Sequence, residues 1–281
     1  MIFQQWQLKR AVEWRYGVAL NKLLKGILDE LNHIQNPFLL AAAIRRYARS
    51  PTFRKAAEIL ARSMATQVFS DGHRTWREAA RSGAKGRALY RALQNEMAQT
   101  QVGTTFWDIV DRNADLIVTA PNSVAKELTA MVAREAQAGL RPEVILKDVQ
   151  AKWPEYTRAH AMLIARTESS KASTALTEAR CGSAGIHWYV WRTEEDARVR
   201  DSHRVMDGVL INWDDPPSPE ALAGEKRTYG NYHAGDIFNC RCYPQPLILF
   251  EDIKWPHKVY YGGRIQWMTL AQFKQIGGVA A

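Results

Sequence analysis

Apolar residues recur at helical spacing through the first half of the chain. In QQWQLKRAVEWRYGVALNKLLKGILDEL they fall at Trp6, Leu8, Val12, Trp14, Val18, Leu20, Leu23, Leu24, Ile27, Leu28 and Leu31. That spacing turns one face of a helix toward a core. The next run, SPTFRKAAEILARSMATQVFS, opens with Ser50 as an N-cap and Pro51 at the first helical position, where the missing N–H leaves no partner unsatisfied. RPEVILKDVQAKW starts another helix at Pro142 after a break at Gly139. A long helix is predicted from Pro154 towards Cys181, ending at Gly182. SGAKG (82–86) and APN (120–122) read as turns. The second half of the long helix is Ala, Ser and Thr. Such small side chains either admit a neighbouring element close to the backbone or simply pack tightly.

After Gly185 the period changes. IHWYVWRT reads as a strand, with Trp188 and Trp191 three apart and so on opposite faces, as packing residues. DGVLINW predicts a turn and a second strand, PPSPEALAG a loop, and VYYGGRIQWMT a hairpin about Gly262 and Gly263. The pattern predicts an α+β chain: a helical N-terminal domain, then a small mixed module with a long helix and short antiparallel strands. The divisions expected are 1–120, 121–250, and a C-terminal hairpin and tail at 251–281.

With 281 residues, 46% of them hydrophobic and 24% charged, the chain can bury a core without covalent staples. Three cysteines, an odd number, argue against a disulfide framework. The opening MIFQQWQLKRAVEWRYG lacks the apolar run and cleavage site of a secretory leader, and no stretch reads as a membrane span. The expectation is a protein made and kept in a reducing cytoplasm. Charge changes the picture more. Residues 1–120 hold 18 Lys+Arg and 10 Asp+Glu, a net +8, whereas residues 121–281 hold 20 and 19, a net +1. The basic first part fits contact with nucleic acid or an acidic protein surface; a basic, solvated helical surface accounts for it equally.

Four short segments carry candidate chemistry: ARTESS (165–170), DARVRDSHRVMDG (196–208), YHAGD (232–236) and NCRC (239–242). Residues i and i+2 of an extended segment share a side, so Cys240 and Cys242 can aim two sulfurs at one point while Arg241 faces away to a carboxylate such as Asp201 or Asp207. Zinc takes about four thiolate and imidazole ligands. His203, with His233 or Asp207, completes such a set. The alternative is no cofactor and a packed thiol–imidazole cluster. A second constellation is Arg166, Glu168, Asp196, Arg198, Arg200, Asp201, His203 and Asp207. It suits phosphate binding and proton transfer, as in a nuclease or nucleotide-dependent transferase. A structural ion-pair network is the favoured reading, since bidentate Arg–carboxylate pairs suit that job and the constellation lacks an evident nucleophile, a phosphate-cradling loop and paired carboxylates at metal spacing.

The order of these pieces carries a resemblance: ARTESS, a small-residue helix, G-x-x-W-Y-V-W, D-A-R-V-R-D-S-H-x-x-x-D-G, a Pro-rich loop, then NCRC-x-P. It resembles the phage minor head proteins of the Mu F-like head-morphogenesis group, over roughly residues 120–250. The resemblance implies a non-enzymatic virion protein that associates with the portal and other head proteins and takes part in head assembly and DNA packaging or ejection. Phage DNA is a further partner it implies. The location implied is the phage head, and the host cytoplasm during assembly. The family's motif positions fall here on Arg166, Thr167, Glu168, Asp196, Arg198, Arg200, His203, Asp207, Gly208, Asn239, Cys240, Arg241 and Cys242. In that reading residues 121–250 are the minor head module and residues 1–120 the assembly contact. The rival readings are the nuclease or transferase using Arg166, Glu168 and His203, and a stand-alone DNA-binding protein.

Overall fold

The computed structural model describes residues 3–82, 86–94, 96–97, 101–194 and 196–276. Its α+β architecture is as expected. The chain forms two compact units that alternate along the sequence. Residues 10–66 and 108–166 make one; residues 1–9, 67–107 and 167–281 make the other. The divisions at 120 and 250 follow the motifs. Compactness divides the chain elsewhere, because three long helices contribute to both units. The expected turn at 82–86 and the tail at 277–281 lie largely or wholly outside the described residues.

The first unit is built of helices joined by short turns, with no strand among its described residues. It contains α1 (Arg10–Glu30), α2 (Pro37–Ala48) and parts of α3 (Pro51–Ser82), α5 (Gln101–Gln137) and α6 (Pro142–Ser183). The buried stripe of α1 is Val12, Tyr16, Leu20, Leu24 and Ile27. Trp14 and Val18, expected on that face, are instead 60% and 45% exposed. Trp6 and Leu8 precede the helix altogether, since residues Phe3–Trp6 form a 3-10 turn. Ser50 caps α3 as its sequence implies, its Oγ accepting from the Phe53 N–H at 3.2 Å.

Two prolines did not end helices. Pro121 lies inside α5 rather than in a turn, and Pro154 inside α6 rather than at a helix start. An interior proline removes one helical bond and costs about 3 kcal/mol. Here packing outweighs it. Ile117, Ala120, Val124, Ala125 and Leu128 carry a buried stripe straight past Pro121. Trp153, 1% exposed, anchors α6 just before Pro154, and its indole N–H donates to the Lys25 carbonyl at 3.2 Å. Pro154 and Gln150 are exposed, so the carbonyl that Pro154 leaves unbonded faces water.

The second unit is built round a five-stranded sheet of β1 (Trp188–Arg192), β2 (Leu210–Asn212), β3 (Tyr243–Pro246), β4 (His257–Tyr261) and β5 (Arg264–Met268), in the order β3-β1-β2-β4-β5. The hairpin expected about Gly262 and Gly263 is β4–β5, with Tyr261 opposite Arg264. The sheet is mixed, not purely antiparallel, because β2 and β4 run parallel. Strand β3 escaped the sequence reading since YPQP has two prolines. It is an edge strand, the place where a sheet tolerates proline. It pairs with β1, Pro244 opposite Trp191 and Pro246 opposite Tyr189, and just beyond it the Leu247 N–H donates to the Trp188 carbonyl at 2.9 Å.

Alternation along β1 gives the sheet two buried faces. Trp188 and Val190 join Leu210, Val259, Met268 and Phe273 of α9 (Leu270–Gln275) on one side. Tyr189 and Trp191 join Ile211, Trp213, Cys240 and Cys242 on the other. The two tryptophans thus sit on opposite faces, both as core. Two further helices, α7 (Asp201–Met206) and α8 (Pro219–Leu222), fill the connections; α8 falls where a loop was expected. Helix α4 (Gly86–Gln94) supplies Leu89 and Leu93 to the same core as Trp191.

Candidate functional site

The four motif segments meet on the Trp191 side of the sheet. The small-residue half of α6 brings them there. Gly235, at φ +88°, lies so close to that helix that an added Cβ would come within 2.6 Å of Thr174 Oγ1, 2.7 Å of the Cys242 carbonyl oxygen and 2.9 Å of Ser170 Oγ. Thr174 Oγ1 donates to the neighbouring Ala234 carbonyl at 2.7 Å. Thr167 Oγ1 accepts from the Asn239 N–H at 2.9 Å, holding a residue whose backbone is left-handed at φ 57°. The Ala/Ser/Thr surface therefore does admit a close neighbour: the segment that carries the cysteines.

Cys240 and Cys242 leave a turn at residues 237–239 and run into β3. His203 projects from α7 between them. Its Nδ1 stands 3.3 Å from Cys242 Sγ and 3.5 Å from Cys240 Sγ. All three residues are buried, at 2%, 3% and 4% exposure for His203, Cys240 and Cys242. The other ring nitrogen, Nε2, is 3.0 Å from the Tyr232 hydroxyl, which donates to Glu220 Oε1 at 2.5 Å. A hydroxyl that donates to a carboxylate accepts from its other neighbour, so Nε2 carries the imidazole proton. The Nδ1 lone pair then faces both sulfurs. Burial and the Glu220 carboxylate push the Tyr232 phenol upward, keeping it a donor. Between the thiols, the Cys242–Cys240 hydrogen bond draws Cys240 down and drives Cys242 up.

The other motif residues build the frame. Arg241 does face away from the sulfurs, but its partners are Glu194 at 3.4 Å and Asp196 at 3.2 Å rather than Asp201 or Asp207. The Asp201 side chain is 96% exposed and pairs with Arg204 at 3.7 Å. Asp196 accepts from the Arg198 backbone N–H at 2.9 Å and from its guanidinium. That N–H first, then the Arg198 and Arg241 guanidinium groups, hold its carboxyl below the usual range. Arg200 donates to the Phe238 carbonyl at 2.9 Å and lies over the Phe238 ring. Asp207 accepts from Thr193 N at 2.8 Å and Thr193 Oγ1 at 3.1 Å, so it is not turned to the sulfurs. Gly208, at φ 75°, makes the turn into β2.

His233 is also outside the Cys–His group. Its Nδ1 meets the Tyr189 hydroxyl at 3.2 Å and its ring packs on Trp213. Burial holds its pKa down at about 4. Arg166 pairs with Glu13 at 3.1 Å in the helical unit, and Glu168 is buried in the sheet unit. The sequence reading missed Tyr232 and Glu220 as members of the site. Tyr232 lay within a segment already singled out. Glu220 was signalled only by Ser218-Pro219-Glu220, a cap, a first-turn proline and an acidic first-turn residue.

Residues 122–244 match the family model described as phage Mu protein F like protein. This stretch is therefore similar to the Mu F-like proteins. Its limits enclose every motif residue from Arg166 to Cys242, and its last residues enter β3. An uncharacterized protein of Haemophilus influenzae is 39% identical over 92 residues, which are 33% of this chain and 18% of the relative. The chain thus spans less than a fifth of the length of the curated relative it matches. No solved structure matches the chain. Among the described residues, no helix is long and apolar enough to cross a membrane.

Proposed function

We propose that this protein is a minor, non-enzymatic component of a phage head, which associates with the portal and other head proteins during assembly and takes part in DNA packaging or ejection. The similarity to the Mu F-like proteins over residues 122–244 carries the reading. The site's geometry supports an architectural use of the motif. Both ring nitrogens of His203 are engaged inside the core, and Arg166 is committed to Glu13. The nuclease or transferase reading needs those groups turned to a substrate. Residues 1–120 are proposed as the assembly contact. They carry a net +8, and α1 displays Trp14 and Val18 to solvent beside Arg15 and Lys22. Exposed tryptophan and basic side chains are common anchors of protein interfaces.

Quantitative mass spectrometry of purified proheads and mature particles tests this. The protein is expected in both at low copy, and Trp14→Ala should lower its incorporation without altering its circular dichroism. Absence from both kinds of particle would overturn the proposal.

A further inference from the structure

Among the described residues, His203, Cys240 and Cys242 form a group whose ligand atoms all lie within 4.8 Å of one another. We propose that the protein binds one zinc ion through Cys240 Sγ, Cys242 Sγ and His203 Nδ1, with Tyr232 and Glu220 orienting the imidazole from behind. Two sulfurs and one imidazole are a donor set that zinc favours. The spacing suits it too. Zinc–sulfur bonds of about 2.3 Å and zinc–nitrogen bonds of about 2.0–2.1 Å at a tetrahedral angle separate S and N by about 3.5 Å. The two separations here are 3.3 and 3.5 Å.

The hydrogen-bond chain behind the ring is the second argument. Glu220, Tyr232 and His203 are linked in series, and the order of donors leaves the Nδ1 lone pair aimed at the sulfurs. A ligand histidine commonly gives its other N–H to a carboxylate or an oxygen that fixes the tautomer. Here a tyrosine is interposed, and Glu220, Tyr232 and His203 are all buried. Such a chain of buried polar groups orients one imidazole for a ligand rather than merely filling space. A thiol hydrogen bond to Nδ1 engages one sulfur at a time; a metal engages both. No further His, Cys, Asp or Glu of the described residues joins the group. The ion would tie α7 to the segment entering β3, 37 and 39 residues further along the chain. This site stands apart from the proposed role in the phage head, and neither depends on the other.

The test uses the full chain, purified without chelator, with zinc measured per chain by plasma mass spectrometry. One zinc per chain is expected. Replacement by Co2+ should give intense tetrahedral visible bands and a thiolate-to-cobalt charge-transfer band. Cys240→Ser and His203→Gln should abolish stoichiometric zinc, and Cys181→Ser, which changes the third cysteine, should retain it. Tyr232→Phe keeps every ligand, and should weaken zinc by about 10–100-fold in competition with a chromophoric chelator. Circular dichroism checks that each variant folds. Wild-type protein that takes up neither zinc nor cobalt, or Cys240→Ser that keeps both metals with unchanged spectra, would overturn the site. Wild-type affinity in Tyr232→Phe would overturn the orienting role.

Discussion

Gly235 gives the sharpest test of how the site is assembled. Substitution by alanine adds one methyl carbon at a left-handed backbone position, φ +88°. The backbone conformation alone costs about 1–2 kcal/mol. The added carbon would also lie 2.6 Å from Thr174 Oγ1 and 2.7 Å from the Cys242 carbonyl, distances that Cβ atoms do not tolerate. The Cys242 carbonyl belongs to backbone and cannot rotate away. Overpacking of this kind costs about 1–3 kcal/mol. Displacing Thr174 from the Ala234 carbonyl adds about 1 kcal/mol. Gly235→Ala should therefore destabilise the sheet unit by about 3–6 kcal/mol. Gly230 supplies the control. Its φ is +90°, nearly the same, yet an added Cβ would meet nothing within 4 Å. Gly230→Ala shares the backbone penalty and the reduced freedom of the unfolded chain, so both cancel in the comparison. Equilibrium urea unfolding, followed by tryptophan fluorescence, should place Gly235→Ala about 2–4 kcal/mol below Gly230→Ala. Equal stabilities, within about 0.5 kcal/mol, would refute the idea that close approach to α6 holds the cysteine segment in place.

Two further outcomes follow from buried charge. Arg180 and Glu96 form a two-point ion pair at 2.9 and 3.2 Å, with both side chains at most 5% exposed. Arg180→Met should cost about 3 kcal/mol by taking the guanidinium from the buried Glu96 carboxylate, which keeps His73 Nδ1 at 2.6 Å, and Arg180→Met with Glu96→Gln should recover part of it; no recovery in denaturant titration would count against the pair. His233 has a folded pKa of about 4 against an ordinary 6.5, chiefly through burial, with the Trp213 carbonyl and Asp214 opposing it weakly. The unfolded chain therefore binds the extra proton first, and the contribution is complete above about pH 6.5 and is lost as pH falls towards 4. Stability should drop by about 2 kcal/mol between pH 7.5 and 5, and His233→Gln should remove that part of the slope; an unchanged slope would show that His233 titrates normally.

The elements most legible in the sequence were those whose local pattern matches their packing. The β4–β5 hairpin was set by Gly262 and Gly263, β1 by its aromatic alternation, and the α3 start by Ser50 and Pro51. Elements that depend on distant contacts were not legible. Pro121 and Pro154 read as breaks because the packing that carries α5 and α6 past them involves residues far away in sequence. Strand β3 read as a loop because its prolines are tolerated only at a sheet edge, and edge position is a property of topology. In the site, i and i+2 geometry correctly brought Cys240 and Cys242 together and His203 to them. The partner of Arg241 was missed because three acidic segments lay within reach in sequence and only the folded chain selects Glu194 and Asp196. Glu220 was hidden because a charged residue in a Pro-rich run suggests solvent, whereas its oxygen serves a buried hydroxyl.

The prolines of β3 have a consequence for crowded assembly. The Leu247 N–H points to β1, so by alternation the N–H of Gln245 does as well, and the positions between them turn outward. Those outward positions are Pro244 and Pro246, which have no N–H to present. A strand arriving from another chain finds no donors along this margin and cannot extend the sheet there. Copies held side by side at high local concentration are thus kept from zipping together through β3, and any strand exchange is directed to the opposite margin, β5.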